Sequence, residues 1–257
     1  MLKPLIGVIG SRYFINDRVA VQRVGERNLS AVADVAEALP LMFAGTLAIT
    51  DVGSLLDAVD GVVLTGGSAN VHPSRFNVFP DPSYEPYDEE RDAVALEVTK
   101  ACVGKGVPIL GICRGIQEMG VAFESTLHPE IRELPGRINH RAPRLENGDI
   151  HPDPKVVFAD RHDVYLTPGG VFSRLFARDT IRVNSLHGQG ILKPGERVVV
   201  EGFAEDGTIE AIRIADASGF ALGVQWHAEH DPQTNPINGA LFRAFGEAIR
   251  ERKNLKF

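Results

Sequence analysis

The sequence has few cysteines, no long apolar run and no excess of positive charge. Its 257 residues include two cysteines, Cys102 and Cys113, which are too few for a disulfide framework and are typical of a reducing cytoplasm. No stretch approaches the roughly 18 apolar residues of a membrane-spanning helix, and the apolar N-terminus lacks the cleavage site of a signal peptide. The net charge of −7 argues against nucleic-acid binding, which needs a basic surface. We therefore expect a cytoplasmic protein with neither membrane nor nucleic-acid partners.

Short apolar runs alternate with helical patterns over the first two thirds of the chain. Strands are predicted at residues 5–9, 39–43, 61–64 and 107–110. Helices are predicted at residues 28–38, 51–59, 88–104 and 116–123. This order is typical of an α/β fold with a mostly parallel central sheet and helices on both faces.

The last third of the chain is richer in strand patterns. Three β-rich runs are predicted at residues 198–203, 208–214 and 220–226, and Asp206-Gly207 favours a hairpin turn between the first two. An amphipathic helix closes the chain, and residues 129–154 are predicted to be a long irregular excursion. We find no repeat and no domain boundary, so residues 1–257 are predicted to form one domain with an antiparallel, strand-rich C-terminal part.

The segment Gly111-Ile112-Cys113-Arg114-Gly115 joins a predicted strand to a predicted helix. Its glycines relieve the crowding of a tight turn whose apex residue has a strained backbone. The start of a helix stabilises a thiolate, and it also offers backbone N–H groups to a developing oxyanion. Cys113 is therefore a candidate nucleophile, although the segment alone also fits a small buried cysteine in a glycine turn.

Two further segments supply the groups that a cysteine nucleophile needs. His227 follows a β-rich run, which in a parallel arrangement places it at the same sheet edge as Cys113, and Glu229 can orient its imidazole. Another predicted strand ends in Gly66-Gly67, whose bare N–H groups suit an oxyanion hole. Each segment alone also fits a surface or turn role, but together they indicate one catalytic centre.

In the order Gly-Gly, Cys, His-x-Glu, these segments resemble the class I glutamine amidotransferase superfamily. Within it the chain is similar to the gamma-glutamyl-gamma-aminobutyrate hydrolases over nearly its whole length. The supporting segments are residues 87–92, 111–118, 126–128, 184–190 and 221–227. The resemblance implies a flavodoxin-like amidotransferase fold.

The resemblance also implies a role for each residue of the site. Cys113 is the nucleophile, His227 the general base and then acid, and Glu229 the orienting carboxylate. Backbone N–H groups of Gly67 and Arg114 form the oxyanion hole. The implied substrate-binding residues are Gly66, Gln117, Ser185 and His187.

No cofactor and no metal is expected. The remaining histidines that we considered have no pair with the spacing of metal ligands, and we interpret them as surface residues. These are His128, His140, His151, His162 and His230. The oligomeric state, including a homo-oligomer, is left open.

The reaction implied by the resemblance is hydrolysis of a small γ-glutamyl amide to glutamate and an amine such as 4-aminobutyrate, in polyamine (putrescine) breakdown. One alternative is a glutaminase subunit that delivers ammonia to a separate synthetase. Another is a binding relative without activity, against which the presence of Cys113, His227 and Glu229 argues.

Two features bear on the substrate. The chain has Glu124-Ser125 where the resembling proteins usually have Gly-Gly, close behind the catalytic helix, so a changed pocket is expected. The irregular stretch 129–154 is a candidate wall for the amine half of the substrate. Its arginines, any of which could pair with a distant carboxylate, are Arg132, Arg137, Arg141 and Arg144.

Overall fold

A computed structural model of the protein describes residues 2–16 and 18–255. The strands are β1 (Leu5–Ile9), β2 (Ser11–Ile15), β3 (Val19–Arg23), β4 (Leu39–Phe43), β5 (Gly61–Leu64), β6 (Ile109–Ile112), β7 (Thr126–His128), β8 (His162–Leu166), β9 (Thr180–Val183), β10 (Gly190–Lys193), β11 (Val198–Ala204), β12 (Ile209–Ile214) and β13 (Ala221–Val224). The α-helices are α1 (Glu26–Ser30), α2 (Val52–Ala58), α3 (Glu89–Lys105), α4 (Arg114–Ala122), α5 (Pro154–Val157), α6 (Val171–Phe176) and α7 (Pro236–Leu255). A π-helical turn, Ala31–Val35, continues α1, and 3₁₀ turns lie at Pro73–Phe76, Pro82–Tyr84 and Ile131–Glu133.

A nine-stranded sheet organises these elements, in the order β4-β1-β5-β6-β13-β12-β11-β8-β9. The five strands from β4 to β13 are parallel to one another, whereas each later neighbour pairs antiparallel. Two small antiparallel pairs, β2 with β3 and β7 with β10, lie outside this sheet. No helix among the described residues is long and apolar enough to cross a membrane.

The apolar side chains of the central strands alternate between two buried clusters, one on each face of the sheet. On one face, Phe242 and Phe245 of α7 pack with Val32 of the π-helical turn. On the other face, Val98 of α3 packs with Met119 of α4. Both faces are therefore covered by helices, which explains why β5 and β6 are buried along their whole length.

The predicted fold class is confirmed, and several element boundaries differ. The strand predicted at 107–110 pairs over Ile109–Ile112, because Pro108 has no N–H to donate. The turn at Asp206-Gly207 does join β11 and β12. The antiparallel half is larger than predicted, because β8 and β9 also belong to it. The single-domain assignment stays a prediction.

Candidate active site

Cys113 lies in the turn between β6 and α4, as the sequence predicts. Its backbone has φ +52° and ψ −104°, a conformation that L-residues adopt only under constraint. A side chain on Gly115 would run into the Leu64 carbonyl, and one on Gly111 would lie 2.6 Å from Met119 Sδ. The two glycines therefore permit the close packing that fixes the turn and holds the sulfur at the carboxyl end of the sheet.

His227 follows β13, which runs parallel to β6, so it reaches the same sheet edge as Cys113. Its Nδ1 lies 2.7 Å from Glu229 Oε1, and Cys113 is close enough to contribute to its pKa. Asn184, to which the sequence reasoning gave no role, accepts from the His227 N–H at 2.9 Å and donates to its carbonyl at 3.2 Å. The structure thus brings the three predicted catalytic side chains together and shows what holds the histidine.

The charges around His227 favour its protonated form. Burial disfavours a charged imidazole, but the negative charges of Glu229 and Cys113 outweigh it and raise the pKa of His227 well above the ordinary value of 6.5. Burial also opposes ionisation of Glu229, yet the charge and hydrogen bond of His227 hold the Glu229 pKa below its ordinary value. An imidazolium beside an ionised carboxylate is the arrangement that sustains a cysteine thiolate.

The predicted oxyanion groups lie beside Cys113. Arg114 is the first residue of α4, where helical N–H groups have no partner within the helix. A Cβ on Gly66 would come within 2.8 Å of His227 Cε1 and 3.4 Å of Cys113 Cβ. The Gly66-Gly67 loop therefore passes directly over Cys113 and His227, which only a residue without a side chain permits.

A buried ion network supports this loop from below. The Arg91 guanidinium donates to the carbonyls of Thr65 and Gly66 and binds Glu118 through Nε at 2.9 Å and Nη2 at 3.1 Å. Arg114 donates to the same carboxylate through Nη1 at 2.7 Å. Sequence reasoning missed this role of Arg91, although the segment 87–92 was one of those that carry the resemblance. The network orients the Gly66 and Arg114 backbones around Cys113.

Two cavities meet at the Gly67–Arg114 boundary. A cavity of about 330 Å³ contains Cys113 and Gln117 in its wall. A more open cleft of about 930 Å³ lies on the other side and is lined in part by the β2–β3 hairpin, including Tyr13. Since both share Gly67 and Arg114, a carbonyl held at this boundary has space on two sides.

The predicted substrate-binding residues are distributed differently. Gln117 and His187 line the 330 Å³ cavity with Cys113, and Gln117 Nε2 donates to the Gln189 carbonyl at 2.6 Å. Ser185 instead faces away from this cavity, because its hydroxyl donates to the His140 carbonyl at 2.9 Å. Gln117 is therefore placed to contact a substrate. The His187 ring nitrogens point to the Gln189 carbonyl and to Glu210, so His187 shapes the cavity wall, and Ser185 holds the His140 segment.

The interpretation of His140 and His162 as surface residues is wrong. Both are 2% exposed, and with His187 they surround the carboxylate of Glu210. Their spacing along the sequence gave no signal, because they come from different segments of the fold. Another histidine treated as a surface residue, His230, is half-buried and stacks on Phe158 at 4.5 Å between ring centroids.

Glu124-Ser125, expected to alter the pocket, does not line the cavity that contains Cys113. Glu124 is exposed and has φ +67°, a conformation that suits glycine. Ser125 Oγ accepts from the Gly195 N–H at 3.0 Å. The replacement of Gly-Gly by Glu124-Ser125 therefore affects the local backbone conformation behind α4 and not the lining of the cavity.

Comparison with known proteins agrees with this geometry. A solved glutamine amidotransferase from Thermotoga maritima superposes with a TM-score of 0.56 at 16% identity, covering 98% of this chain and 86% of that one. A gamma-glutamyl-gamma-aminobutyrate hydrolase from Escherichia coli O157:H7 is 34% identical over 248 residues, which are 95% of this chain and 93% of the relative. A Mycobacterium tuberculosis protein, provisionally named a glutamine amidotransferase, is 34% identical over 77% of this chain and 58% of its own length.

The fold and the site are those of a class I glutamine amidotransferase-like protein. The sequence profile of one family, Peptidase C26, matches residues 4–229. The chain belongs to this family and is a hydrolase.

Proposed function

We propose that the protein hydrolyses a γ-glutamyl amide with a carboxylate-bearing amine, of the kind represented by γ-glutamyl-4-aminobutyrate. The observation that carries the proposal is the Cys113–His227–Glu229 constellation, with Cys113 in the wall of one cavity that shares Gly67 and Arg114 with a second, larger cleft. The name of the Escherichia coli relative supports the same substrate class.

In the proposed reaction the Cys113 thiolate attacks the γ-carbonyl carbon, and the oxyanion lies against the N–H groups of Gly67 and Arg114. The His227 imidazolium gives its proton to the amide nitrogen, the C–N bond breaks and the amine leaves. Water then attacks the glutamyl thioester while His227 takes its proton. Breaking the C–S bond releases glutamate and restores the thiolate.

The cavities suit an N-substituted amide better than glutamine alone. A glutaminase has only ammonia to release, so its pocket can close beyond the amide nitrogen. Here the 930 Å³ cleft begins at the same Gly67–Arg114 boundary as the cavity with Gln117. One side can therefore hold the glutamyl head while the other holds a larger amine, and binding energy from that amine is available to the transition state.

Arg144 is the residue that we assign to the α-carboxylate of the glutamyl head, because it lines the cavity that contains Cys113 and Gln117. Of the four arginines in residues 129–154, only Arg141 and Arg144 line the cavity that contains Cys113. The Arg141 guanidinium is already paired with Glu130. Arg144 donates to the Gly148 carbonyl and has no carboxylate partner within the described part of the chain, so it is available to an anionic ligand.

The test is the release of glutamate from a panel of γ-glutamyl amides, with glutamine included. We expect kcat/KM for γ-glutamyl-4-aminobutyrate to exceed that for glutamine by at least about tenfold, which corresponds to about 1.4 kcal/mol. Because Arg144 lines the cavity assigned to the glutamyl head, which both substrates share, Arg144→Gln is expected to lower kcat/KM about tenfold for both substrates. Arg178→Gln, an exposed arginine outside both cavities, is the matched control. Equal or better turnover of glutamine contradicts the proposal.

A glutaminase subunit is the second candidate, because other relatives carry amidotransferase names. It predicts that glutamine is cleaved efficiently only after a synthetase is added. The panel measured without any partner separates the two candidates. The further proposal, a place in putrescine breakdown, predicts that cells lacking the protein accumulate γ-glutamyl-4-aminobutyrate when putrescine is the nitrogen source.

A further inference from the structure

Three histidine rings converge on one buried carboxylate behind the cavity that contains Cys113. The distances to Glu210 Oε1 are 3.2 Å from His162 Nε2, 3.5 Å from His187 Nε2 and 3.6 Å from His140 Nδ1. Each of the four side chains is at most 2% exposed. They come from β8, β12 and two separate loops, so the convergence is a product of the tertiary fold.

Hydrogen bonds on the outer side of two rings determine what faces Glu210. His187 Nδ1 lies 3.0 Å from the Gln189 carbonyl oxygen, which can only accept, so Nδ1 carries the proton. His140 Nε2 lies 3.0 Å from Asp206 Oδ2, and this carboxylate also accepts from backbone N–H groups. In the neutral rings, His187 Nε2 therefore presents a lone pair toward the Glu210 carboxylate, and so does His140 Nδ1, which also lies 3.1 Å from Ser185 Oγ.

Lone pairs facing a carboxylate repel it, and the closest approach, His162 Nε2 at 3.2 Å from Glu210 Oε1, lacks hydrogen-bond geometry among the described residues. Within the described residues, both oxygens of Glu210 and the Nε2 atoms of His162 and His187 have no hydrogen-bond partner. Buried polar atoms without partners are rare and costly. A cation at the point where these atoms converge gives a partner to Glu210 Oε1 and to the facing histidine nitrogens at once.

We propose that this cluster is a binding site for a divalent transition-metal ion of the zinc type. Imidazole nitrogens and one carboxylate oxygen are the ligands that such ions take. The ligand atoms of His140, His162 and Glu210 all lie within 4.8 Å of one another, and His187 Nε2, 3.5 Å from Glu210 Oε1, is the candidate fourth ligand. Ligand bonds of about 2.0–2.1 Å place tetrahedral ligand atoms about 3.3 Å apart, so binding draws the rings slightly inward.

The outer contacts fit the same assignment. Metal-bound histidines usually donate their second N–H to a carboxylate or a backbone carbonyl, which fixes the tautomer. Asp206 does this for His140, and the Gln189 carbonyl does it for His187. Four protein ligands leave no open position, so the site is structural and takes no part in the hydrolysis. It ties the wall of the Cys113 cavity to β8 and β12.

The direct test is metal analysis of the full chain, purified without an affinity tag and without chelator. We expect one zinc per chain, bound either on purification or after incubation with Zn²⁺. Stripping with a strong chelator is expected to lower Tm, and Zn²⁺ to restore it. Co²⁺ in the stripped protein is expected to give the intense visible absorption of a four-coordinate ion. A chain that takes up no metal and whose Tm is unaffected by Zn²⁺ overturns the proposal. In that case a proton on one of the histidine rings neutralises the Glu210 carboxylate.

Two variants and a control locate the site. His162→Asn removes a ligand and is expected to abolish the Tm response to Zn²⁺, whereas His151→Asn, which alters a histidine outside the cluster, keeps it. Asp206→Asn retains all four ligands and is expected to weaken zinc affinity about 10- to 100-fold, which gives a readout if His162→Asn fails to fold. Wild-type zinc affinity in Asp206→Asn, or in a folded His162→Asn chain, contradicts the assignment.

Discussion

Replacing Glu229 with glutamine removes one charge from the catalytic centre and keeps the shape of the side chain. Glu229 Oε1 lies 2.7 Å from His227 Nδ1, and the two side chains are 7% and 15% exposed. Burial alone would lower the pKa of His227, and the charge of Glu229 is the largest of the contributions that raise it. After the substitution, the charge of Cys113 is the main remaining contribution that offsets the effect of burial. The pKa of His227 therefore falls.

The size of this fall follows from the distance between the charges. At an effective dielectric constant of about 20, two unit charges about 4 Å apart interact by about 4 kcal/mol. One pKa unit corresponds to about 1.4 kcal/mol, so this energy is equivalent to about 3 units. Opposite charges in contact usually shift a pKa by about 1–3 units, and we expect a fall within that range.

The rate changes in two ways. The imidazolium of His227 must protonate the leaving amine, so activity is lost as pH rises through the His227 pKa. The alkaline limb of kcat/KM is therefore expected to move to lower pH by about 1–3 units. The glutamine amide can also donate to Nδ1 and favour the unproductive tautomer, which lowers kcat by about 10²- to 10⁴-fold.

The assay is a pH–rate profile of kcat/KM for both chains, with γ-glutamyl-4-aminobutyrate as substrate. Glu124→Gln is the matched control, because it removes an exposed carboxylate outside the site. An alkaline limb that stays in place in Glu229→Gln, or wild-type kcat at neutral pH, would refute the reasoning.

Three further predictions test single residues. Cys113→Ala is expected to abolish turnover, whereas Cys102→Ala is expected to leave most of it. A glutamine-like affinity label should attach only to Cys113, because burial raises the pKa of the Cys102 thiol to about 12. Labelling at Cys102 would contradict this prediction. His227→Asn is expected to lose several orders of magnitude in kcat, whereas His187→Asn acts mainly on KM; equal losses in kcat would mean that the base is misassigned. Glu124→Gly is expected to raise the free energy of unfolding by about 1 kcal/mol, because Glu124 has φ +67°, which is strained for a residue with a side chain. A urea titration that shows no increase in this free energy would contradict the prediction.

The catalytic turn could be predicted from sequence because its determinants are local. Cys113 and its two flanking glycines lie within five residues, and the apolar strand before them marks where the turn begins. The position of His227 followed from one general property of parallel sheets, that the carboxyl ends of the strands share an edge. Both predictions needed only the local sequence pattern and the expected fold class.

The parts that could not be predicted depend on contacts between distant segments. Arg91 supports the Gly66 loop only because α3 packs against α4, and its partner Glu118 lies 27 positions away. The cluster around Glu210 joins residues that are up to 70 positions apart, and no short motif contains any two of them. A histidine such as His162 carries no mark in the sequence that distinguishes a buried ring from an exposed one.

The segment that follows β9 links the cluster around Glu210 to the chemistry at Cys113. Asn184 holds the backbone of His227 on both sides, and His187, three residues later, faces Glu210. Two residues further, the Gln189 carbonyl accepts from both His187 Nδ1 and Gln117 Nε2. A change in the cluster can therefore displace the catalytic histidine and the pocket wall without touching substrate. A loss of kcat in a cluster variant is evidence of a catalytic role only if Tm and metal content are unchanged, which is why those measurements accompany the kinetics of His187→Asn.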